Sequence, residues 1–395
     1  MAPAELDPHV TSSLFWIALA VLAAPLVRRA TRAAIPEVVA LLGLGILIGP
    51  SVLGLAGSDQ LGILSELGLG LLFVLAGFEI DTSQLRSPRA LRAALTWLCC
   101  SAAATAVGLA VGLSPTPAVA LGLALTSTAL GTLLPILQAA GTAATPMGTT
   151  VLMHGVMGEL GPVISMALLL SSRTTRQSAL VLLAFFLVAV AVALVPRRVL
   201  ARIPESVRAA MASNRSRSAQ TMLRAVMVML VGLMALAAVL DLDVVLGAFA
   251  TGIILRRLSG DHHELLERHL RIVGNTFPVP LFFVMSGMAI NLATVDPALT
   301  AISFAAILLA RGVPVWVAET VARRDRLEGP RPRLATALYA AAGLPIIVAV
   351  TQVATTSGLM PEAVASSLVL AGALTILVLP QLAGKVAPRP DHAAA

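Results

Sequence analysis

Charged and aromatic residues are scarce in this sequence. Asp, Glu, Lys and Arg make up 12% of its 395 residues, and Phe, Trp and Tyr make up 4%. Soluble globular domains carry about 25% charged residues, so the sequence excludes a water-soluble fold. Hydrophobic residues account for 58% of the chain, with a mean hydropathy of +0.93. The composition therefore predicts an all-α polytopic membrane protein, because helices satisfy their own backbone hydrogen bonds in lipid.

Cysteines are also rare. The two that are present, Cys99 and Cys100, are adjacent in an apolar stretch, a spacing that suits neither a metal site nor a disulfide framework. The chain contains no His-Glu-x-x-His and no Gly-x-Gly-Asp motif, so an intramembrane protease is disfavoured. We expect no enzymatic activity and no cofactor.

A net charge of +7 and an isoelectric point near 11 would suit a nucleic-acid partner, but the basic residues lie between apolar stretches. We therefore expect the protein to contact membrane lipid and to bind no nucleic acid. Thirteen stretches are long enough, or nearly so, to span a bilayer, and we number them segments 1 to 13. They lie near residues 13–27, 35–55, 61–80, 90–113, 116–140, 146–171, 177–195, 221–240, 243–258, 271–290, 300–322, 333–357 and 361–382.

The basic residues indicate the topology. All of them except Arg173, Arg176 and Arg311 fall in the C-terminal tail or in, or at the borders of, connections 1–2, 3–4, 7–8, 9–10 and 11–12. By the positive-inside rule, a multi-pass protein of the cell (plasma) membrane then has its N-terminus outside and its C-terminus in the cytoplasm. The predicted parts are a short external N-terminus (1–12), a transmembrane domain (13–382) and a cytoplasmic tail (383–395).

An internal repeat links segments 3 and 10. Segment 3 ends Phe-Val-Leu-Ala-Gly-Phe-Glu-Ile-Asp at 73–81, and segment 10 ends Phe-Val-Met-Ser-Gly-Met-Ala-Ile-Asn at 283–291. Segment 10 comes seven segments after segment 3, an odd offset, so the two cross the membrane in opposite directions. The pattern predicts inverted repeats formed by segments 1–6 and 8–13 with segment 7 as the linker, an architecture of many secondary transporters.

Transporters of this kind bind substrate where interrupted helices meet in mid-membrane. Segments 5 and 12 occupy equivalent places in the two halves and both carry helix-breaking residues. We expect discontinuous, crossing helices there, with hydroxyl oxygens as neutral ligands for a cation. Alternatively, the hydroxyls only bond to carbonyls of their own helix. The expected breaks are at Gly131, Pro135, Gly343 and Pro345, and the expected hydroxyl ligands are Thr126, Ser127 and Thr128.

One carboxylate lies in the middle of segment 6. At about 1.5 Å per helical residue, Glu159 is ~20 Å into a hydrocarbon core about 30 Å thick. An acidic group at that depth usually faces a water-filled cavity, a partner charge or a transported ion. We therefore predict that Glu159, with the preceding Gly158, binds a proton or a monovalent cation, the alternative being a protonated Glu that is only hydrogen-bonded within the bundle.

Other ionisable residues are placed around this one. Arg311, in the middle of segment 11, is at a similar depth and is the predicted charge partner of Glu159. His154 is about one and a half helical turns nearer the cytoplasm and is either a proton relay or only a hydrogen-bonded side chain. Glu66 and Glu319 lie nearer the ends of their segments, and we expect them to be interface residues.

Taken together, these stretches resemble the monovalent cation:proton antiporter superfamily, in the branch of Kef-type and bacterial Na+/H+ antiporters with thirteen helices. The resemblance covers most of residues 13–382. The matching motifs are Ile-Pro-Glu-Val-Val at 35–39, Gly-Pro-Ser-Val-Leu-Gly at 49–54, Leu-Ala-Gly-Phe-Glu-Ile-Asp at 75–81, Ser-Thr-Ala at 127–129, Leu-Gly-Ala-Phe-Ala-Thr-Gly at 246–252 and Pro-Leu-Phe-Phe-Val-Met-Ser-Gly-Met at 280–288.

The resemblance implies a core that moves against a dimerisation region, hence a homodimer, with crossed broken helices beside the ion site. It also implies an acidic residue at the position of Glu159 and a basic one at Arg311. Two features depart from the pattern. The usual Asp with a polar residue before it is here Glu159 after Gly158, and we expect no nucleotide-binding regulatory domain after residue 382.

The predicted function is exchange of protons for Na+ or K+ at Glu159 by alternating access. A single titratable carrier beside an Arg that stays charged predicts electroneutral one-for-one exchange. The alternative is a sodium- or proton-coupled symporter of an organic anion on the same inverted-repeat fold, with Arg311 and the positive helix ends binding the anion.

Overall fold

Helices account for all thirteen predicted segments in the computed structural model, which describes residues 8–32, 34–57, 61–80, 84–169, 177, 180–191, 215–260, 263–322, 327 and 329–387. Within those ranges there are helices and no strand. Nine segments there are long and apolar enough to cross a membrane: Pro8–Ala30, Gly62–Glu79, Pro88–Ala110, Pro115–Ala139, Pro146–Leu168, Gln220–Val239, Pro297–Val321, Pro330–Thr356 and Glu362–Val386. The other four are shorter: Glu37–Ile48, Leu180–Ala191, Val244–Ser259, and His263–Thr276 followed by Pro278–Met288. The predicted all-α fold is confirmed.

The outer boundaries differ from the prediction. The first helix begins at Pro8, inside the stretch predicted as an external N-terminus, and the last continues to Val386, past the predicted end at 382. Apolar runs underestimate helix length because helices continue into polar residues at the membrane surface. Arg173, Arg176 and most of the residues around segment 7 lie outside the described residues.

Segments 5 and 12 are each made of two half-helices. Segment 5 consists of Pro115–Leu125 and Leu130–Ala139, and segment 12 of Pro330–Ala340 and Pro345–Thr356. Pro345 opens the second half of segment 12, where its missing N–H and fixed φ suit the first helical position.

The break in segment 5 is not where the sequence places it. Gly131 and Pro135 lie inside the second half-helix, and the interruption is at 126–129 instead. Pro135 is only six residues into that half-helix, so it removes one early hydrogen bond without ending the helix. The actual break is made by contacts with other segments, described below.

The chain forms two compact units. The larger comprises residues 1–63, 83–166 and 280–395, and the smaller comprises 64–82 and 167–279. In the larger unit, the broken segment 12 is the most enclosed, with 83% of its apolar window buried, against 22% for segment 1. Segment 12 is therefore at the centre of its unit rather than on a lipid-facing side.

Glycines show the inverted repeat in the packing of each unit. In the larger unit, segments 2 and 10 touch backbone to backbone, since a Cβ on Gly45 would overlap the carbonyl of Val284. In the smaller unit, segments 3 and 9 do the same, since a Cβ on Gly77 would overlap the carbonyl of Phe249. Small residues permit such close approach. Segments 2 and 3 of the first half correspond to 9 and 10 of the second, so one contact occurs twice and the predicted inverted repeat is confirmed.

Segment 11 changes its helical geometry in the middle. An α-helix over Pro297–Ile307 passes into a π-helical turn at Leu308–Gly312 and returns to an α-helix at Val313–Val321. The N–H of Val313 bonds to the carbonyl of Leu308, five residues back. Such turns occur frequently at functional sites, and this one carries Arg311.

Candidate functional site

The two interrupted segments meet at their breaks. The Ala129 N–H of segment 5 donates to the Ala342 carbonyl of segment 12 at 2.9 Å. Beside this bond, a Cβ on Gly343 would lie 2.6 Å from the carbonyl oxygen of Ser127, so only glycine permits the two backbones to come this close. The Gly343 N–H donates to Thr375 Oγ1 of segment 13 at 3.3 Å.

Glu159 accepts a hydrogen bond from the N-terminus of a half-helix. The Leu130 N–H, the first of the second half of segment 5, donates to Glu159 Oε1 at 2.8 Å. The first N–H groups of a helix have no partner within it, and the N-terminus carries about half a positive charge. With Glu159 only 4% exposed, this helix end is a source of compensation for a carboxylate held away from water.

Thr128 connects four segments at the same point. Its N–H donates to the Gly158 carbonyl at 3.1 Å, and its hydroxyl donates to the Ala340 carbonyl at 2.6 Å. The same hydroxyl oxygen accepts from Arg311 Nε at 3.3 Å. The break in segment 5 is thus tied to segments 6, 11 and 12 by one residue.

Thr126 and Ser127 are fully buried but bond within their own helix. The Thr126 hydroxyl donates to the Gly122 carbonyl at 2.7 Å, and the Ser127 hydroxyl donates to the Ala124 carbonyl at 3.0 Å. These are the local bonds that the sequence left open as an alternative. A hydroxyl that donates one bond keeps lone pairs for a cation, so a ligand role for either residue stays a prediction.

Thr128→Val should destabilise the protein clearly. Valine has nearly the same volume but leaves the Ala340 carbonyl and Arg311 Nε without this partner, at about 1–3 kcal/mol for each buried group. Thr126→Val is the matched control, because it removes only a bond within one helix. We expect a lower midpoint of thermal unfolding in detergent for Thr128→Val and a near-parental one for Thr126→Val and Thr128→Ser. Equal midpoints for the two valine variants would contradict this.

Arg311 is fully buried against segment 6. Its Nη2 donates to the His154 carbonyl at 2.7 Å. A Cβ on Gly158 would come within 3.0 Å of Nη2 and would overlap the Thr128 side chain. The structure therefore brings Arg311 to the residue directly before Glu159, and Gly158 leaves the room that Thr128 and Arg311 occupy. The charge pairing of Arg311 with Glu159 stays a prediction.

Glu319 was expected at an interface, but the structure buries it. The residue is 2% exposed, and its Oε1 is 3.0 Å from His154 Nε2 and 3.1 Å from Arg92 Nε. Segments 4, 6 and 11 are thereby joined. The sequence places Glu319 in the same apolar segment as Arg311, which is a signal for burial. Its partners are distant in sequence and leave no local pattern.

Comparisons with known proteins agree with this architecture. A family model described as "Sodium/hydrogen exchanger, transmembrane" matches residues 17–384. A probable Na+/H+ antiporter of Bacillus cereus, GerT, is 28% identical over 274 residues, which cover 65% of this chain and 68% of GerT. The Na+/H+-K+ antiporter GerN of the same organism is 29% identical over 262 residues, 65% of this chain and 66% of GerN.

A solved structure has a similar fold. The sodium proton antiporter MjNhaP1 from Methanocaldococcus jannaschii, determined at pH 8, superposes with a TM-score of 0.66. The superposition covers 95% of this chain and 97% of that one at 17% sequence identity. At this identity the likeness concerns the fold and not the residues of the site.

Proposed function

The chain belongs to the sodium/hydrogen exchanger family, a family of transporters rather than enzymes, and on this premise we propose that it exchanges protons for a monovalent cation at Glu159 by alternating access. The cation is Na+ or K+, the two alkali ions in the names of the relatives GerT and GerN. The protein is a multi-pass membrane protein, which suits the thirteen helical segments.

One observation carries the proposal. A buried carboxylate, 4% exposed, lies where two interrupted helices cross, and its Oε1 accepts the Leu130 N–H at 2.8 Å. A charged residue in the middle of a membrane segment costs about 2.5–3.5 kcal/mol or more. At a helix break, carbonyls and helix ends can replace part of an ion's hydration shell. A buried carboxylate at such a break is what a carrier for small cations requires.

Coupling follows from competition at this carboxylate. A proton and an alkali cation each neutralise Glu159, and the site can hold one of them at a time. The neutralised site crosses the membrane barrier at lower cost than the ionised one, so each crossing carries either a proton or a cation. Since each form carries the same net charge, exchange is electroneutral and one-for-one.

The remaining parts of the proposal rest on the sequence. The distribution of Arg and Lys between connections supports an external N-terminus and a cytoplasmic C-terminus in the plasma membrane. The family resemblance supports a homodimer.

Proton flux in proteoliposomes tests the proposal. Vesicles containing the protein and an internal pH dye receive Li+, Na+, K+ or Rb+ in turn, with choline as the control. We expect rapid internal alkalinisation or acidification, according to the gradient, with Na+ or K+ and none with choline. In the assays that do not use K+ as the substrate, valinomycin and a K+ gradient impose a voltage across the vesicle membrane. The proton-flux rate should stay constant when this voltage is applied. Flux that scales with voltage, or that requires a carboxylate substrate, would contradict electroneutral cation exchange.

A further inference from the structure

A second group of ionisable side chains lies inside the larger unit. His154 and Glu319 are 1% and 2% exposed, and His154 Nε2 is 3.0 Å from Glu319 Oε1. Arg92 Nε donates to the same oxygen at 3.1 Å, and its side chain is 23% exposed. Arg92 near the start of segment 4 and Glu319 near the end of segment 11 both adjoin connections predicted to be cytoplasmic. The group therefore extends from a partly exposed guanidinium to a buried imidazole.

The His154–Glu319 pair has unused capacity to bind a proton. Because a carboxylate only accepts, Nε2 carries the hydrogen of the neutral ring, and Nδ1 keeps a free lone pair. Among the described residues, neither His154 Nδ1 nor Glu319 Oε2 has a hydrogen-bond partner, although both atoms are buried. Leaving such atoms unpaired costs about 1–3 kcal/mol each, and a proton on Nδ1 would turn the hydrogen bond between a neutral ring and a carboxylate into an ion pair.

The pair is connected to the proposed ion site through Arg311. Two residues of segment 11 form hydrogen bonds with His154. Arg311 Nη2 donates to its carbonyl at 2.7 Å, and Glu319 accepts from its ring. The same guanidinium bonds to Thr128 at 3.3 Å. The charged or titratable groups around His154 are Glu319 and Arg311 from segment 11, Arg92 from segment 4, Glu159 on its own segment, and Cys100, which lies against Arg311.

We propose that His154 and Glu319 form a second proton-binding site, separate from Glu159, that loads from the side of Arg92. Its effect on transport rests on the proposed function. A proton on this pair adds one positive charge next to Arg311, which opposes the entry of a cation at Glu159. The site would thus reduce exchange when the compartment that Arg92 faces becomes acidic.

Histidine-selective 15N NMR tests the site directly. The full-length protein in nanodiscs is titrated from pH 5 to 9 in choline medium, and the ring signals of His154 are identified by their absence in His154→Gln. We expect one titration step of these signals. In Glu319→Gln its midpoint should fall by about one pH unit or more, since an opposite charge at hydrogen-bond distance shifts ionisation by about 1–3 units. A His154 ring signal that stays constant across the whole titration would overturn the proposal.

Transport of the same variants tests the coupling. We measure the exchange rate as a function of pH. In His154→Gln and Glu319→Gln, we expect the fall in rate on the acidic side to move to lower pH by about half a pH unit or more, because of the shift in ionisation given above. A titrating His154 with parental profiles in both variants would also overturn the proposal. If His154→Gln does not fold, Glu319→Gln supplies both the assignment and the profile. The NMR titration does not depend on transport. If the proposed cation exchange is wrong, the wild-type protein shows no flux with any cation, and the NMR result for His154 is unaffected.

Discussion

Glu159→Gln should lower cation-driven proton flux by about 100-fold or more. The amide oxygen of Gln can still accept the Leu130 N–H, which donates to Oε1 at 2.8 Å, so the fold should be retained. The variant lacks the charge that neutralises a cation. Moving an uncompensated charge through the membrane costs about 2.5–3.5 kcal/mol or more, and each 1.4 kcal/mol is a factor of ten in rate. The flux is read from the internal pH dye after addition of Na+ or K+.

Glu66→Gln is the matched control, because it makes the same chemical change in another membrane segment. Glu66 is exposed in segment 3, and we expect its variant to exchange within about twofold of the parent, as is usual for surface substitutions that alter stability by less than ~0.5 kcal/mol. If the Glu159 variant kept parental flux, or if both variants lost it equally, Glu159 would not be the carrier.

Gly343→Ala should abolish exchange and lower stability. The added Cβ would lie 2.6 Å from the Ser127 carbonyl oxygen and 3.0 Å from its carbonyl carbon. These are backbone atoms, which cannot rotate away, so segments 5 and 12 must separate. Overpacking of this kind costs about 1–3 kcal/mol, and separation would stretch the Ala129–Ala342 hydrogen bond beside the proposed ion site. The measurements are thermal unfolding in detergent and proton flux in vesicles.

Gly43→Ala distinguishes a local clash from a general effect of losing glycine. Gly43 is in a membrane helix of the same unit, is exposed, and would meet nothing within 4 Å if it carried a Cβ. Alanine is favoured over glycine in helices by up to about 1 kcal/mol, so this variant should be at least as stable as the parent and fully active. Similar losses for the two alanine variants would argue against a tight crossing at Gly343.

Much of the fold could be predicted because its signals are local. Each segment is visible as an apolar run, and the interruption of segment 12 is marked by Gly343 and Pro345, two residues apart. Segment 5 is different. Its break falls at 126–129, a stretch with neither Gly nor Pro, and is held open by hydrogen bonds from Thr128 and Ala129 to segments 6 and 12. Partners so distant in sequence leave no local pattern, so the prediction chose Gly131 and Pro135.

The site shows the same limit. The depth of Glu159 could be counted along a helix, but Leu130 as its hydrogen-bond donor depends on how two segments cross. Glu319 shows this most clearly. Its position near a helix end suggested contact with the interface, whereas the structure places it on His154 and Arg92. The count of residues along a segment gives depth, but not the direction in which a side chain faces.

The interruption of segments 5 and 12 also has a mechanical meaning. An unbroken helix acts as a rigid rod, and a push on one end reaches the other. Here each helix is interrupted midway, and hydrogen bonds between the two segments, such as the one from the Ala129 N–H to the Ala342 carbonyl, take the place of a continuous ladder. The two halves of each segment are therefore not joined by a continuous row of helical hydrogen bonds. A force on one half-helix is passed on through the crossing, where Gly343 lies against the Ser127 backbone, and not along a single rod.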